Sequence, residues 1–325
     1  MKYKVAIIGL GNIGLLYDTE EFHNKSKFLT HTKTIYHSED FELIGGIDLD
    51  HIRRKYFNEL TNCNSYKSIN HLKKERQDVD VFVLSTSTES HLKVLQEILS
   101  NYNPKVILCE KPLSYKINEC EKIIELCQKH KTELFINFPR RIEKSIVAMK
   151  KMIKKSEYFK GTVWYSNGTI NNGIHFIDII MYLFGTHKNL ELISVNHVYK
   201  DRDDFDSDFK ILFENGEIYF FSWPEYLFSN YKIEIFSKKK IFLYDNNGYK
   251  TLINKVVSDP YFNGHKYIST QSESIENNIN TSMISVYQDI LHFLNGDENK
   301  CVLNNIEQIL NIHYIINQLK LKING

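Results

Sequence analysis

Tyr3-Lys4-Val5-Ala6-Ile7-Ile8, followed at once by Gly9-Leu10-Gly11-Asn12-Ile13-Gly14, is the stretch that decides the fold. The apolar run reads as a buried parallel strand. The glycines behind it suit a dinucleotide-binding turn: one makes the tight turn, one lets the backbone approach a pyrophosphate, and one allows close helix packing. The phosphates are expected on the N-terminus of the helix that follows, where free amides and the helix dipole favour anions. Gly9, Gly11, Asn12, Ile13 and Gly14 are therefore cofactor-binding candidates.

Further apolar runs at 41–47, 79–84, 105–109 and 133–138 alternate with segments of helical period. That alternation is the grammar of a doubly wound parallel sheet. A capping box of Asn118 with Glu121 places one helix start near Asn118. Beyond about residue 160 the pattern turns to strands, at 162–166, 209–213, 218–223, 231–236 and 241–245. Asn215-Gly216 and Asn247-Gly248 read as hairpin turns among them. Two helices close the chain, one ending near Asn295-Gly296 and one opened by Asn304 with Glu307. The expected fold is α/β: a Rossmann domain over 1–120, then an α+β domain over 121–325 with an open, largely antiparallel sheet. The C-terminal helix is a candidate to pack back on the first domain.

Composition agrees with this division. A chain of 325 residues exceeds the size at which one core usually stops growing, which favours two domains. With 42% hydrophobic and 25% charged residues it is an ordinary globular sequence, and a net charge of +1 offers nothing to a polyanion, so no nucleic acid partner is expected. The 20 Tyr and 20 Phe either line ligand surfaces or follow a compositional bias shared with Asn, Ile and Lys. Cys63, Cys109, Cys120, Cys127 and Cys301 form no C-x-x-C pair, which points to a reduced, cytoplasmic compartment. No membrane span and no signal peptide is expected.

The second strand ends at Asp48, well past the roughly twenty residues that usually separate the glycines from the acidic ribose ligand. Residues 18–30 therefore read as an inserted loop, leaving from the phosphate-binding end of the sheet. It either covers a ligand or is an incidental surface insertion. Asp48 on both ribose hydroxyls favours NAD over NADP, while Arg53 and Arg54 keep NADP possible.

Glu110-Lys111-Pro112 ends the run 105–109, and open parallel sheets bind ligands outside the carboxyl ends of their strands, so Lys111 is aimed at the crevice. Pro112 disfavours a helical conformation at Lys111. Asn137-Phe138-Pro139-Arg140-Arg141 follows the next strand, where the guanidinium groups either pair with a phosphate or are solvated helix-start charges. Asn171-Asn172-Gly173-Ile174-His175-Phe176-Ile177-Asp178 opens an apolar helix, and His175 and Asp178 share a face where the carboxylate can orient the imidazole.

Together these motifs resemble the glucose-fructose oxidoreductase and inositol dehydrogenase family, Gfo/Idh/MocA, over nearly the whole chain. The segment Ser85-Thr86-Ser87-Thr88-Glu89-Ser90-His91 resembles the family's small-residue turn ending in His. The resemblance implies NAD or NADP as cofactor, a sugar, cyclic polyol or sugar nucleotide as substrate, and a homodimer or homotetramer. It makes Lys111 the group nearest the reacting oxygen and His175 the second acid–base residue. Ser85, Thr86, His91, Asp48 and Glu110 join the cofactor set; Asn137, Arg140, Arg141, Asn171 and Asp178 join the substrate set. Many inositol dehydrogenases carry Asp where Asn171 stands, which tilts the expected substrate toward a sugar nucleotide of surface-polysaccharide biosynthesis. Trp223 and Tyr226 are candidates to stack on it, Trp223 being otherwise core or subunit interface. Two competing readings are a redox-neutral, NAD-dependent glycosidase and a nucleotide-binding regulator without activity.

No metal site is expected. The run Asp201 to Asp208 lacks the EF-hand pattern and reads as a solvated loop, and His23, His31 and His37 read as surface or capping residues.

Overall fold

A computed structural model describes residues 2–153 and 157–324, the side chain of Asn324 excepted. The chain forms two compact units: one runs to Ile142 and takes in Asn280–Ile306, the other takes in Glu143–Ile279 and the stretch from Glu307 onward.

In the first unit, β1 (Tyr3–Ile8), β2 (Phe41–Ile47), β3 (Ser65–Tyr66), β4 (Val81–Leu84), β5 (Val106–Cys109) and β6 (Glu133–Ile136) form a parallel sheet in the order β3-β2-β1-β4-β5-β6. This is the expected doubly wound sheet. Its order reverses between β1 and β4, which opens a crevice at their carboxyl ends. Strands β4 and β5 are buried throughout, which is why they read as continuous apolar runs rather than alternations.

The helix expected directly behind the glycines is broken. Leu15 and Leu16 donate to the carbonyl of Gly11, closing a single turn, and the chain then leaves through a 3-10 turn at Leu16–Asp18. The carbonyls of Ile13 and Gly14 accept instead from the amides of His31 and Thr32, each at 3.0 Å. In an unbroken helix they would take the amides of Tyr17 and Asp18. His31 thus stands in for Tyr17, fourteen positions on, and the helix His31–Tyr36 resumes the interrupted one. With those fourteen residues left out, Asp48 stands twenty after Gly14, the usual spacing.

The detour is tied down from within. Asp18 is buried, and its Oδ2 accepts from the amides of Leu29 and Thr30 at 2.8 Å and from the Thr30 hydroxyl at 3.0 Å. Its Oδ1 lies 3.7 Å from the buried Lys33 ammonium, which donates to the Glu21 carbonyl. Phe22 and Phe28 are buried beneath, so the loop carries a small core of its own.

One helix starts near Asn118 as expected, but its cap is corrected. The helix Ile117–Lys129 begins behind Lys116, leaving Asn118 inside the first turn, where it cannot cap. Ser114 supplies the local polar contact, donating to Glu119 at 2.7 Å.

The second unit holds β7 (Phe159–Ser166), β8 (Asn189–Val198), β9 (Phe205–Phe213), β10 (Gly216–Trp223), β11 (Lys232–Ser237), β12 (Lys240–Asp245), β13 (Lys250–Ser258) and β14 (Lys266–Ile275). They run in the order β14-β13-β12-β11-β7-β10-β9-β8, antiparallel except where β7 meets β10. Asn215-Gly216 joins β9 to β10, and Asn246, Asn247 and Gly248 turn β12 into β13 at positive φ of 50°, 57° and 100°. The strands β8 and β14 escape a pattern reading because they are edges with mostly exposed side chains, so the alternation is confined to the first half of β8 and missing from β14. On the covered face, the apolar helix Ile174–Phe184 packs its Phe184 ring on Phe159.

Candidate active site

The crevice of the first unit is a cleft of about 800 Å³ lined by Gly9, Gly11, Asp48, Arg53, Ser85 and Thr86, among others. The three glycines divide their work. A Cβ on Gly9, where φ is +96°, would fall on the Ser85 carbonyl, and one on Gly14 would fall on the Gly9 carbonyl. A Cβ on Gly11 would meet nothing nearer than Arg53 Nη1 at 3.8 Å. Gly9 and Gly14 therefore allow backbone to pack on backbone, and Gly11 keeps the cleft floor bare for a close-lying diphosphate. Asn12 is exposed on the same turn, and Ile13 contributes the carbonyl that His31 takes.

Asp48, at the carboxyl end of β2, is oriented by backbone. Its Oδ2 accepts from Leu10 N and its Oδ1 from Asp50 N, both at 2.8 Å, and Arg53 Nη1 stands 3.6 Å from Oδ2. Asp50 caps the helix His51–Thr61, and the Ile52 amide holds its carboxyl below the usual range. Ser85 donates to the Gly9 carbonyl at 2.8 Å, pinning the turn after β4 to the glycine turn. His91 is buried with its ring nitrogens 3.1 Å from Leu113 O and 3.2 Å from Thr86 O, so it clasps two cleft turns together. Burial keeps its pKa below the ordinary histidine value.

Glu110, after β5, is the hub of a buried polar network. Its Oε1 accepts from His31 Nε2 at 2.9 Å and Asn137 Nδ2 at 2.5 Å, and its Oε2 from the Lys111 amide at 3.3 Å. Behind it, His31 Nδ1 lies 2.8 Å from the Tyr287 hydroxyl. Burial alone would raise the Glu110 carboxyl, but the hydrogen bond and charge of His31, the Asn137 amide and the Lys111 charge together hold it below its usual value. Glu110 is thus a carboxylate at neutral pH beside Lys111, whose peptide bond to Pro112 is cis.

Two members of this network were not among the sequence candidates. Tyr287 carries no local sequence signal, and His31, expected on the surface or as a cap, is fully buried. The only local signal for His31 is Thr30, whose side chain caps the resumed helix.

Arg141 also departs from a solvated helix-start charge. It is fully buried, donating to the Val302 carbonyl at 3.3 Å with its guanidinium 5.5 Å from the Phe138 ring centre. Arg140 is half-buried.

In the second unit, Asn171 lies in a single π-helical turn, Thr169–Gly173, that leads into the helix carrying half-buried His175. Asp178 is buried, and its backbone carbonyl accepts from Gln308 Nε2 at 3.1 Å. The π-turn is held by the acidic run. Asp204 Oδ1 accepts from Ile170 N at 2.8 Å and its Oδ2 from Asn171 N at 2.9 Å, while Asp206 Oδ1 accepts from Gly168 N at 2.9 Å. A Cβ on Gly168 would fall on the Asp204 carboxylate. The run is therefore not a solvated loop: Asp204 and Asp206 are buried supports of the segment bearing Asn171 and His175. Burial raises the Asp204 carboxyl even against these amides.

Among the described residues no group of three His, Cys, Asp or Glu could hold a metal ion, and no helix is long and apolar enough to cross a membrane.

Residues 3–138 match the model of an oxidoreductase family with an NAD-binding Rossmann fold, GFO_IDH_MocA. Over 104 residues the chain is 36% identical to inositol 2-dehydrogenase of Salmonella typhimurium, covering 32% of this chain and 29% of that protein. The chain thus spans less than a third of the length of this curated relative. Among solved structures, a dehydrogenase from Clostridium difficile superposes with a TM-score of 0.74 at 20% identity, covering 99% of this chain and 100% of that one. UDP-N-acetylglucosamine 3-dehydrogenase from Acidithiobacillus ferrooxidans superposes with a TM-score of 0.75 at 15% identity, covering 98% and 96%. These likenesses extend the common fold across both units.

Proposed function

We propose that this chain, whose residues 3–138 belong to the Gfo/Idh/MocA oxidoreductases with their NAD-binding Rossmann fold, is an NAD(P)-dependent dehydrogenase or reductase acting on a ring carbon of a sugar. The observation that carries the reading is the turn after β5, where a buried carboxylate stands beside Lys111 in the same sheet that offers the glycine-floored cleft. NAD, when bound, takes or returns the hydride. Lys111 handles the proton: a carbinol carbon gives up hydride only as its hydroxyl proton leaves, and an ammonium stabilises the charge developing on oxygen. His175 is the second acid–base group, carried on the segment that Asp204 supports. Asn171 and Arg140 are the groups we assign to the sugar and its phosphates, while buried Arg141 and Asp178 hold the local structure.

The finer reading is a sugar nucleotide of surface-polysaccharide biosynthesis. It is supported by Asn171, which can hydrogen-bond a hydroxyl and cannot take its proton, and by the UDP-sugar activity of one structural neighbour. The inositol dehydrogenase likeness covers only 32% of this chain, too little to carry over that protein's substrate. Five free thiols support a cytoplasmic location. Trp164 lies tilted against Phe221 and edge-on to Trp223, an aromatic cluster on the second unit's sheet that supports a homodimer or homotetramer assembled there.

Inositols, aldoses and nucleotide-linked sugars, each followed by NADH formation or consumption at fixed enzyme, test the reading. Turnover confined to nucleotide-linked sugars is the expected result. Efficient turnover of a free polyol with no effect of Arg140→Ala would remove the sugar-nucleotide part alone.

A further inference from the structure

Every hydrogen bond around Glu110 has one polarity. A carboxylate only accepts, so His31 must donate from Nε2 and Asn137 from its amide nitrogen. That fixes the Asn137 carboxamide with its Oδ1 turned away from Glu110. Asn137 is 1% exposed, and Oδ1 is buried with no hydrogen-bond partner among the described residues. Such an acceptor is uncommon in a folded protein, and it is the more telling because the groups linked to it are paired. Its place is equally specific: Asn137 directly follows β6, beside β5 and its Glu110-Lys111 turn, at the carboxyl ends where open parallel sheets receive ligands.

We infer that Asn137 Oδ1 is the acceptor for the carboxamide N–H of a bound nicotinamide ring, with Glu110, His31 and Tyr287 as the positioning residues that hold the Asn137 carboxamide in this orientation. The inference rests on the NAD reading above. A bare acceptor rejects phosphates and carboxylates, which bring only acceptors of their own. A ribose hydroxyl rotates to donate or accept and needs no fixed acceptor. The carboxamide at the nicotinamide end carries an obligate donor, which is what a locked acceptor complements.

Dissociation constants for three nucleotides on the full chain, freed of copurified nucleotide, test this by calorimetry without any turnover. NAD carries the carboxamide; 3-acetylpyridine adenine dinucleotide keeps the carbonyl and has a methyl group in place of the amide nitrogen; ADP-ribose lacks the ring. The wild-type chain should bind NAD about tenfold more tightly than the acetylpyridine analogue, the ordinary worth of one buried hydrogen bond. Asn137→Leu should bring that ratio close to one while leaving the ADP-ribose constant within about twofold, which also reports that the fold is intact. A wild-type ratio of one overturns the inference without need of any variant, as does a variant that keeps the wild-type ratio. If none of the three nucleotides binds, the NAD reading itself falls; if ADP-ribose binds and the ratio is one, only the role of Asn137 falls.

Discussion

The amide of His31 donates to the carbonyl of Ile13 over 3.0 Å, and the ring of the same residue reaches Glu110 over 2.9 Å. One residue thus closes the backbone splice behind the glycine turn and anchors the carboxylate beside Lys111. The detour between Tyr17 and Thr30 is consequently coupled to the candidate chemistry: any loosening that frees His31 from the helix also removes the side chain that most favours the charged form of Glu110.

Lys111→Met should cut turnover about 100- to 10,000-fold, the usual cost of losing a general acid–base group, with NAD affinity changed only a few-fold. His175→Ala should be comparably severe. Turnover on the sugar found by the substrate panel, measured beside NAD dissociation constants, checks both. Lost NAD binding with chemistry per bound cofactor retained would move Lys111 out of the acid–base role.

The wild-type chain should bind NAD more tightly than NADP, because Asp48 lines the cleft at the end of β2, where an acidic residue in this fold accepts from the ribose hydroxyls and repels a 2′-phosphate. Asp48→Ser should narrow or invert the preference, since Arg53, now 3.6 Å from Asp48, would be released toward a 2′-phosphate. Paired dissociation constants decide, and tighter binding of NADP by the wild type would reject Asp48 as the selector.

Asp18→Ala should destabilise the first unit by about 3 kcal/mol, because it strands the buried Lys33 ammonium and three donors at once. Hydrogen exchange should show residues 18–33 losing protection first. Lys33→Met in the same chain should restore part of the loss by removing the stranded charge. Equal melting temperatures of Asp18→Ala and wild type would show that the loop hangs free of its anchor.

His313 gives a pH dependence of known sign. Burial pulls its pKa from 6.5 down to about 4, against the opposing pull of the Ile309 carbonyl. Between those values the unfolded chain binds a proton that the folded chain does not, so stability is full above pH 6.5 and falls as pH falls toward 4. The loss should reach on the order of 3 kcal/mol. His313→Leu should flatten this window in denaturation midpoints taken at several pH values; an unchanged slope would assign it to other groups.

The sequence by itself determined what depends on neighbours in the chain. Val81–Leu84 and Val106–Cys109 are apolar on every residue, which only a strand covered on both faces tolerates, and the Asn-Gly turns accept the positive φ that tight hairpins demand. The glycine turn, Lys111 after its strand and His175 on its helix were legible for the same reason. Local signals mislead where they are weak: the exposed edges β8 and β14 offer little or no alternation, and Asn118 with Glu121 has the letters of a cap without its position. Partner choice was decided only by the tertiary structure. His31 meets Glu110 from 79 residues away and Tyr287 from 256, and Asp204 reaches Asn171 across 33. A short polar residue looks the same in sequence whether water or a distant carboxylate satisfies it; only the folded chain, by burying it, makes the distant partner the one that remains.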